Sequence, residues 1–283
     1  MCVLYGIVLA GALIYYRFPY DKLAAYLLER HGDELALDVR IDGIEPKTPP
    51  LNFLLTDVRL EGKGDMRGKR LVWIDSLTVS PSLFALAGGA VKLAVEGNLY
   101  DGKFSGKAVD VTGENPSLTL NMECSGLNLA RWEEAKKLWG ANLGGICDAG
   151  ISFTGDVGKW WSGRGNVSLK IENGLAEGIA RYLIIPVDRL EGCTLTADLI
   201  LSGGKATIKQ GSLVCKQARA DLEGTIIPRA VPEESRLDLT ANVLLSQDMQ
   251  KDLRLPFDRV HLSIKGTAAK PMVNFVTGKG GKS

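Results

Sequence analysis

The chain has 283 residues, 45% of them hydrophobic and 24% charged, with a formal net charge of +1. That balance supplies a core and excludes disorder in bulk. The 34 basic residues are scattered, which excludes the basic stripe of a nucleic-acid reader, and 2 histidines leave little room for imidazole-based metal or acid–base chemistry.

The first stretch without a charge is Cys2 to Tyr16, CVLYGIVLAGALIYY. It is about 15 residues, roughly 23 Å as a helix, against a hydrocarbon core of roughly 30 Å. With its flanks it predicts a membrane anchor over 1–18. A cleaved signal peptide is the rival, disfavoured because no clear Ala-x-Ala site follows. Tyr15, Tyr16 and Tyr20 suit the interfacial belt. Residues 19–32 predict a short amphipathic helix. Asp21 is its cap, Leu23, Tyr26, Leu27 and Arg30 share a face, and Gly32 is its stop. It would lie on the bilayer surface or pack on the domain that follows.

From 33 to 276 the dominant period is two. Leu37, Val39 and Ile41 alternate with Asp38 and Arg40; Leu118, Leu120 and Met122 alternate with Thr119 and Asn121; Val167, Leu169 and Ile171 alternate with Ser168 and Lys170. Late in the chain, Ala218, Ala220, Leu222, Gly224 and Ile226 face away from Arg219, Asp221, Glu223 and Thr225. Leu237, Leu239, Ala241, Val243 and Leu245 do the same against Asp238, Thr240 and Asn242. One apolar and one polar face per strand is the pattern of an antiparallel sheet wet on one side. Turn signals stand at Asp101-Gly102, Asn173-Gly174, Gly203-Gly204 and Gln210-Gly211. Extended loops are expected at Glu45–Pro50 and Pro228–Ser235.

Helical periodicity is scarce. One helix is expected from Leu129 to Trp139, opened by Asn128 and closed by Gly140, with shorter turns at 81–86, 179–184 and 247–253. These cannot cover the apolar side of about a dozen strands, so the sheet must curl on itself. The predicted fold class is therefore mainly β: an N-terminal transmembrane helix, then a large curled antiparallel sheet with one or a few short helices. The sheet would be an open groove or half-barrel, or a sandwich. The tail over 277–283 is expected to be disordered.

Four cysteines fall in the strands: Cys124, Cys147, Cys193 and Cys215. No C-x-x-C pair occurs, so their spacing fits no zinc site. Cys124 ends one strand and Cys147 begins the next. A hairpin at Gly203-Gly204 sets Cys193 one residue out of line with Cys215, and a bulge at Gly211 would correct that. Two disulfides are expected if the domain is periplasmic; otherwise these are four small buried hydrophobes.

No catalytic, cofactor-binding or metal-ligating residue is assigned. The terminal GKGGKS lacks the first glycine of a phosphate loop and a helix to follow it. His31 and His261 are isolated, and His261 sits on the polar face of a strand. Glu133-Glu134 and Glu233-Glu234 are expected on solvated surfaces. Trp160-Trp161 would be one core tryptophan with an exposed neighbour.

The order of parts resembles the AsmA-like superfamily. FPYDKLAAYLLERHG followed by LDVRIDGIEPKTPPLNFLLTDVRL is similar to its opening. GSLVCKQARADLEGTIIP, RLDLTANVLL and HLSIKGTAAKPMVNF are similar to its end. In size the chain looks most like the protein N family of the type II secretion pathway. The resemblance implies an inner-membrane, single-pass protein with a periplasmic β-domain. It would be a non-enzymatic component of the secretion apparatus, in contact with inner-membrane lipid and other secretion-system proteins. Its superfamily implies an alternative: a lipid-binding or lipid-transfer groove with phospholipid on an apolar face. No cofactor and no nucleic acid is implied.

Overall fold

The computed structural model describes residues 37–47, 52–62, 70–82, 85, 90–111, 117–178, 188–229, 234–253, 256–268 and 270–275. The expected anchor over 1–18, the helix over 19–32, the turn near 179–184 and the tail over 277–283 lie outside these residues.

Among the described residues, fourteen strands make one sheet. The first seven are β1 (Leu37–Lys47), β2 (Asn52–Gly62), β3 (Arg70–Pro81), β4 (Ala90–Leu99), β5 (Gly102–Val111), β6 (Ser117–Asn128) and β7 (Asn142–Gly155). The others are β8 (Arg164–Glu177), β9 (Arg189–Ser202), β10 (Lys205–Val214), β11 (Ala218–Ile227), β12 (Arg236–Leu245), β13 (Arg259–Thr267) and β14 (Pro271–Phe275). Spatial order equals chain order, and every neighbouring pair is antiparallel. Such a meander is what alternating strands joined by turns produce.

β1 and β14 do not pair with each other, so the sheet is open rather than a barrel. Nor is it a closed sandwich. The leucines of a sandwich interior are buried from both sides. Here Leu120, Leu169, Leu199 and Leu213 all keep intermediate exposure, and no large side chain among the described residues is fully buried. Pro271 opens the last edge strand opposite Gly266, where its missing N–H blunts further pairing.

Several expectations need correction. Glu45, Pro46 and Lys47 are not loop; they end β1, paired with Leu54, Phe53 and Asn52. Asn173-Gly174 and Gln210-Gly211 do not turn the chain. Each sits inside a strand at a bulge, Asn173 with φ 51° in β8, and the register of β10 shifts between Ile208 and Gln210. A bulge uses the same positive-φ residues as a turn, so the local sequence cannot separate them.

The expected helix over 129–139 is two pieces. Leu129–Arg131 is a 3-10 turn whose cap, Asn128, accepts the Ala130 N–H at 3.1 Å. Trp132, with ψ 72°, breaks the helix, and α1 (Glu133–Trp139) follows, closed by Gly140 at φ 61°. The break lets Trp132 turn back and donate its Nε1–H to Leu71 O at 3.1 Å. β4 pairs only with Ser76–Pro81 of β3, leaving Arg70–Asp75 without a strand on that side. α1 fills this notch, in contact with both β3 and β7. The expected helix over 247–253 is present as α2 (Gln247–Leu253). Its Met249 joins Leu245 and Val260 in a small core with Ala218, Val243 and Leu262.

Candidate functional site: an uncovered apolar face

The ladder registers place side chains in rows across the sheet, because residues opposite each other share a face. One row crosses all fourteen strands. It runs Pro46, Phe53, Val79, Val95, Gly106, Met122, Ile151, Val167, Leu199, Ile208, Gly224, Leu239, Ile264 and Val273. Every member is apolar or glycine. Thirteen strand spacings of about 4.8 Å make it roughly 62 Å long. A parallel row, from Ile44 through Leu55, Leu77, Gly97, Phe104, Cys124, Ala149, Leu169 and Ala197 to Gly211, is equally free of polar side chains.

Two glycines on this face are packing devices. A Cβ on Gly97 would meet the Phe104 ring at 2.6 Å, and one on Gly106 would meet Met122 at 2.9 Å. The larger neighbours lie over the glycines, so the face is continuous rather than notched. Phe104 is correspondingly 6% exposed, whereas Val167 on β8 is 38% exposed. Among the described residues, what touches the sheet from outside the ladder is the 3-10 turn Leu129–Arg131 with α1, against β7 and β3, a second 3-10 segment, Val157–Ser162, against β7, and α2 through Met249.

The opposite face carries Glu96, Ser105, Glu123, Ser168 and Asp198 on one row and Asn98, Lys103, Ser125 and Thr196 on the next. An open depression of about 860 Å³ runs here, lined by these side chains together with Lys47, Leu54, Phe104, Cys124, Ala149 and Leu169. It is the gutter of a solvated pleat, and its acids and lysines are exposed or half-exposed.

At the outer end of β1–β3 the two faces exchange character. Ile41, Val58 and Ile74 are register partners on the otherwise polar side, and Val58 is 2% exposed. On the apolar side stand Arg40, Asp42, Asp57, Arg59, Glu61 and Trp73. Arg59 donates Nη2–H to Asp42 at 2.9 Å and grips Asp57 through Nε and Nη2. Trp73 Nε1–H donates to Asp57 at 2.6 Å, and Arg40 pairs with Glu61 at 3.1 Å. Hydrogen bonds from Arg59 hold the Asp57 carboxyl below its usual range, while the shared hydrogen bond with Asp57 raises Asp42. Asp57 has φ 53°, the left-handed region for a non-glycine residue.

The cysteines divide. Val214 pairs with Thr194, and Cys193 is bonded to Cys215 just beyond, with Cα atoms 4.1 Å apart. The bulge that corrects the register lies between Ile208 and Gln210, beside the expected Gly211. Cys124 and Cys147 are not bonded. Cys124 pairs with Ala149 and Cys147 with Leu127, so the two cysteines are out of line by two residues on one side of the bulge at Gly126 (φ 67°) and by three on the other. Burial pushes both thiols up, away from reactive thiolates.

His261 lies on the polar face as expected, hydrogen-bonded to Asn242. Trp161 is half-buried. Glu134 is a correction: it is 2% exposed and ion-paired to Arg70, not solvated, whereas Glu133 is exposed. Tyr100 beside it has its phenol pushed up to about 12 by burial and by the Glu134 charge. Among the described residues, no group of three or more His, Cys, Asp or Glu is placed to hold a metal ion.

No protein-family model matches the chain, and neither a curated protein nor a solved structure matches it.

Proposed function

We propose that the chain is a non-enzymatic, membrane-anchored protein of the bacterial envelope that holds lipid along the apolar face of its sheet. The observation behind this is the unbroken apolar row through all fourteen strands, half-exposed along most of its length and buried at Ile208 and Leu239. Soluble monomers rarely leave so large an apolar surface to water. The occupant must also follow a twist. At roughly 20–25° per strand pair, thirteen steps turn the face through most of a full revolution. A rigid protein partner would cover only part of such a strip; flexible acyl chains can track it. The Cys193–Cys215 bond supports an oxidising compartment such as the periplasm.

A role as a scaffold of the type II secretion apparatus ranks behind this reading. A scaffold would fill the space over its apolar face with its own large side chains, and the half-exposed leucines do not support that.

The test is native mass spectrometry of the full chain purified from membranes in mild detergent, with lipid extraction in parallel. Phospholipid at one or more per chain is the expected result. A lipid-free, compact species would overturn the proposal and return the search to protein partners.

A further inference from the structure

β1 is an open edge. Among the described residues its 11 residues pair on one side, with β2, and without a register shift. The opposite edge, β14, has 5 residues and starts on Pro271. Proteins blunt such edges with prolines, bulges or short strands. β1 shows none of these from Leu37 to Glu45; its proline, Pro46, stands next to its end.

The charges of β1 fit β2 poorly. Arg40 stands opposite Arg59, and Asp38 opposite Glu61. Asp42 lies beside Asp57, between the opposed pairs Ile41–Val58 and Gly43–Thr56. Like charges directly opposite destabilise a ladder. Diagonal contacts relieve this, Arg40 to Glu61 at 3.1 Å and Arg59 to Asp42 at 2.9 Å. Asp42 keeps a sign of the mismatch, its carboxyl raised by the hydrogen bond it shares with Asp57. At this acidic corner the side chains of Arg40 and Asp42 stay 64% and 55% exposed.

The same charges fit a second β1. A closed two-fold pairing of antiparallel strands sets one residue opposite itself, and the apolar faces of both copies then lie on one side. Consider the registers that engage at least seven residues of β1. Centring on Arg40 or on Asp42 sets like charges together, and centring on Gly43 or Ile44 opposes no charge to another. Centring on Ile41 engages the nine residues from Leu37 to Glu45 and opposes Arg40 to Asp42 of the second copy twice over. Ile41 then meets Ile41 on the other face, and Pro46 falls outside the paired segment.

We propose that β1 is a dimerisation edge, on which two copies of this chain pair antiparallel about Ile41 and join their two fourteen-strand sheets into one. The pairing is independent of what occupies the apolar face.

The test is analytical ultracentrifugation of the full-length protein in mild detergent, with circular dichroism as the check on folding. The unaltered protein is expected as a dimer. Arg40→Asp opposes aspartates and Asp42→Arg opposes arginines, so each variant alone should dimerise about tenfold more weakly. Mixed in equal amounts, the two variants oppose aspartate to arginine at both positions, and a mixed dimer should form as readily as the unaltered one. Mixing would not cure a folding fault in either variant. Ile41→Cys supplies a milder second probe. It should give a covalent dimer under a mild oxidant, above the background of the unaltered protein. Val39→Cys should not, because Val39 faces Gly43 of the second copy. A monomeric unaltered protein overturns the proposal. Dimers that survive both charge variants place the contact elsewhere on the chain and overturn it too, as does a mixture that stays monomeric.

Discussion

Glu134 shows how a single side chain ties a helix to a sheet. Its carboxylate is 2% exposed, and its partner Arg70 is one-third exposed. Glu134→Ala would leave a guanidinium without its anion in a part-buried notch. The expected loss is about 2–3 kcal/mol in urea unfolding, below the cost of a fully buried pair because water reaches Arg70. A loss under about 0.5 kcal/mol would mean that α1 is held by Trp132 alone. The sequence places Glu134 next to Glu133 on a short helix, and nothing local distinguishes them. What separates them is the break at Trp132, which rolls one toward β3.

The acidic corner makes a second prediction at this scale. Asp57 has its carboxyl depressed, so its contact with Arg59 is present above the ordinary aspartate range and is lost only as pH falls through the depressed value. Asp42 is raised, which has the opposite sign: its proton is taken up first as pH falls, and that uptake relieves repulsion from Asp57. Carboxyl carbon NMR should therefore show Asp42 titrating above the usual value of 3.8 and Asp57 below it. The reverse order would show that the carboxylates do not share a hydrogen bond.

Elements are where the sequence was most legible. Alternation in β11 and β12 assigns their faces, and the burial pattern of β12, with Leu239, Ala241 and Leu245 buried and Arg236, Asp238 and Thr240 exposed, follows it. Leu239→Asp should unfold the domain by burying an unpaired charge at a cost of several kcal/mol, read as loss of the cooperative urea transition. Arg219→Ala, on the other face and 61% exposed, should shift stability by less than about 0.5 kcal/mol. A folded Leu239→Asp protein would mean the faces are reversed. Strand pairing was less legible than strand faces, because bulges change the register by one residue without a distinct sequence signal. At β9–β10 the bulge brings Cys193 and Cys215 together; at β6–β7 the register on either side of the bulge leaves Cys124 and Cys147 two or three residues out of line. Breaking the Cys193–Cys215 link, which spans 22 residues, should cost about 3 kcal/mol through the freedom returned to the unfolded chain. Urea unfolding of a Cys193→Ala, Cys215→Ala double variant measures it, and an unchanged midpoint would place the bond outside the cooperative unit.

For the whole molecule, the sequence predicts a sheet with one apolar face but leaves open whether the sheet closes over it. Closure depends on whether β1 meets β14, and no residue in either strand encodes that alone. The fourteen-strand row gives the open form a consequence. If lipid runs along the row, a charge near its middle should interrupt it without unfolding the sheet. Val167 is the place to put one. It belongs to the row on β8 and is 38% exposed, so a lysine there keeps its ammonium in water and its stem on the sheet. Val167→Lys should retain its β-sheet circular dichroism and urea midpoint and co-purify with fewer lipids per chain than the unaltered protein. The same substitution at Ser168, one residue away on the polar face, should leave the lipid count unchanged. Equal loss from both variants would mean that lipid binding follows net charge rather than the row. An undiminished count in Val167→Lys would place the lipid at one end of the sheet, where α1 and the acidic corner lie, instead of along its length.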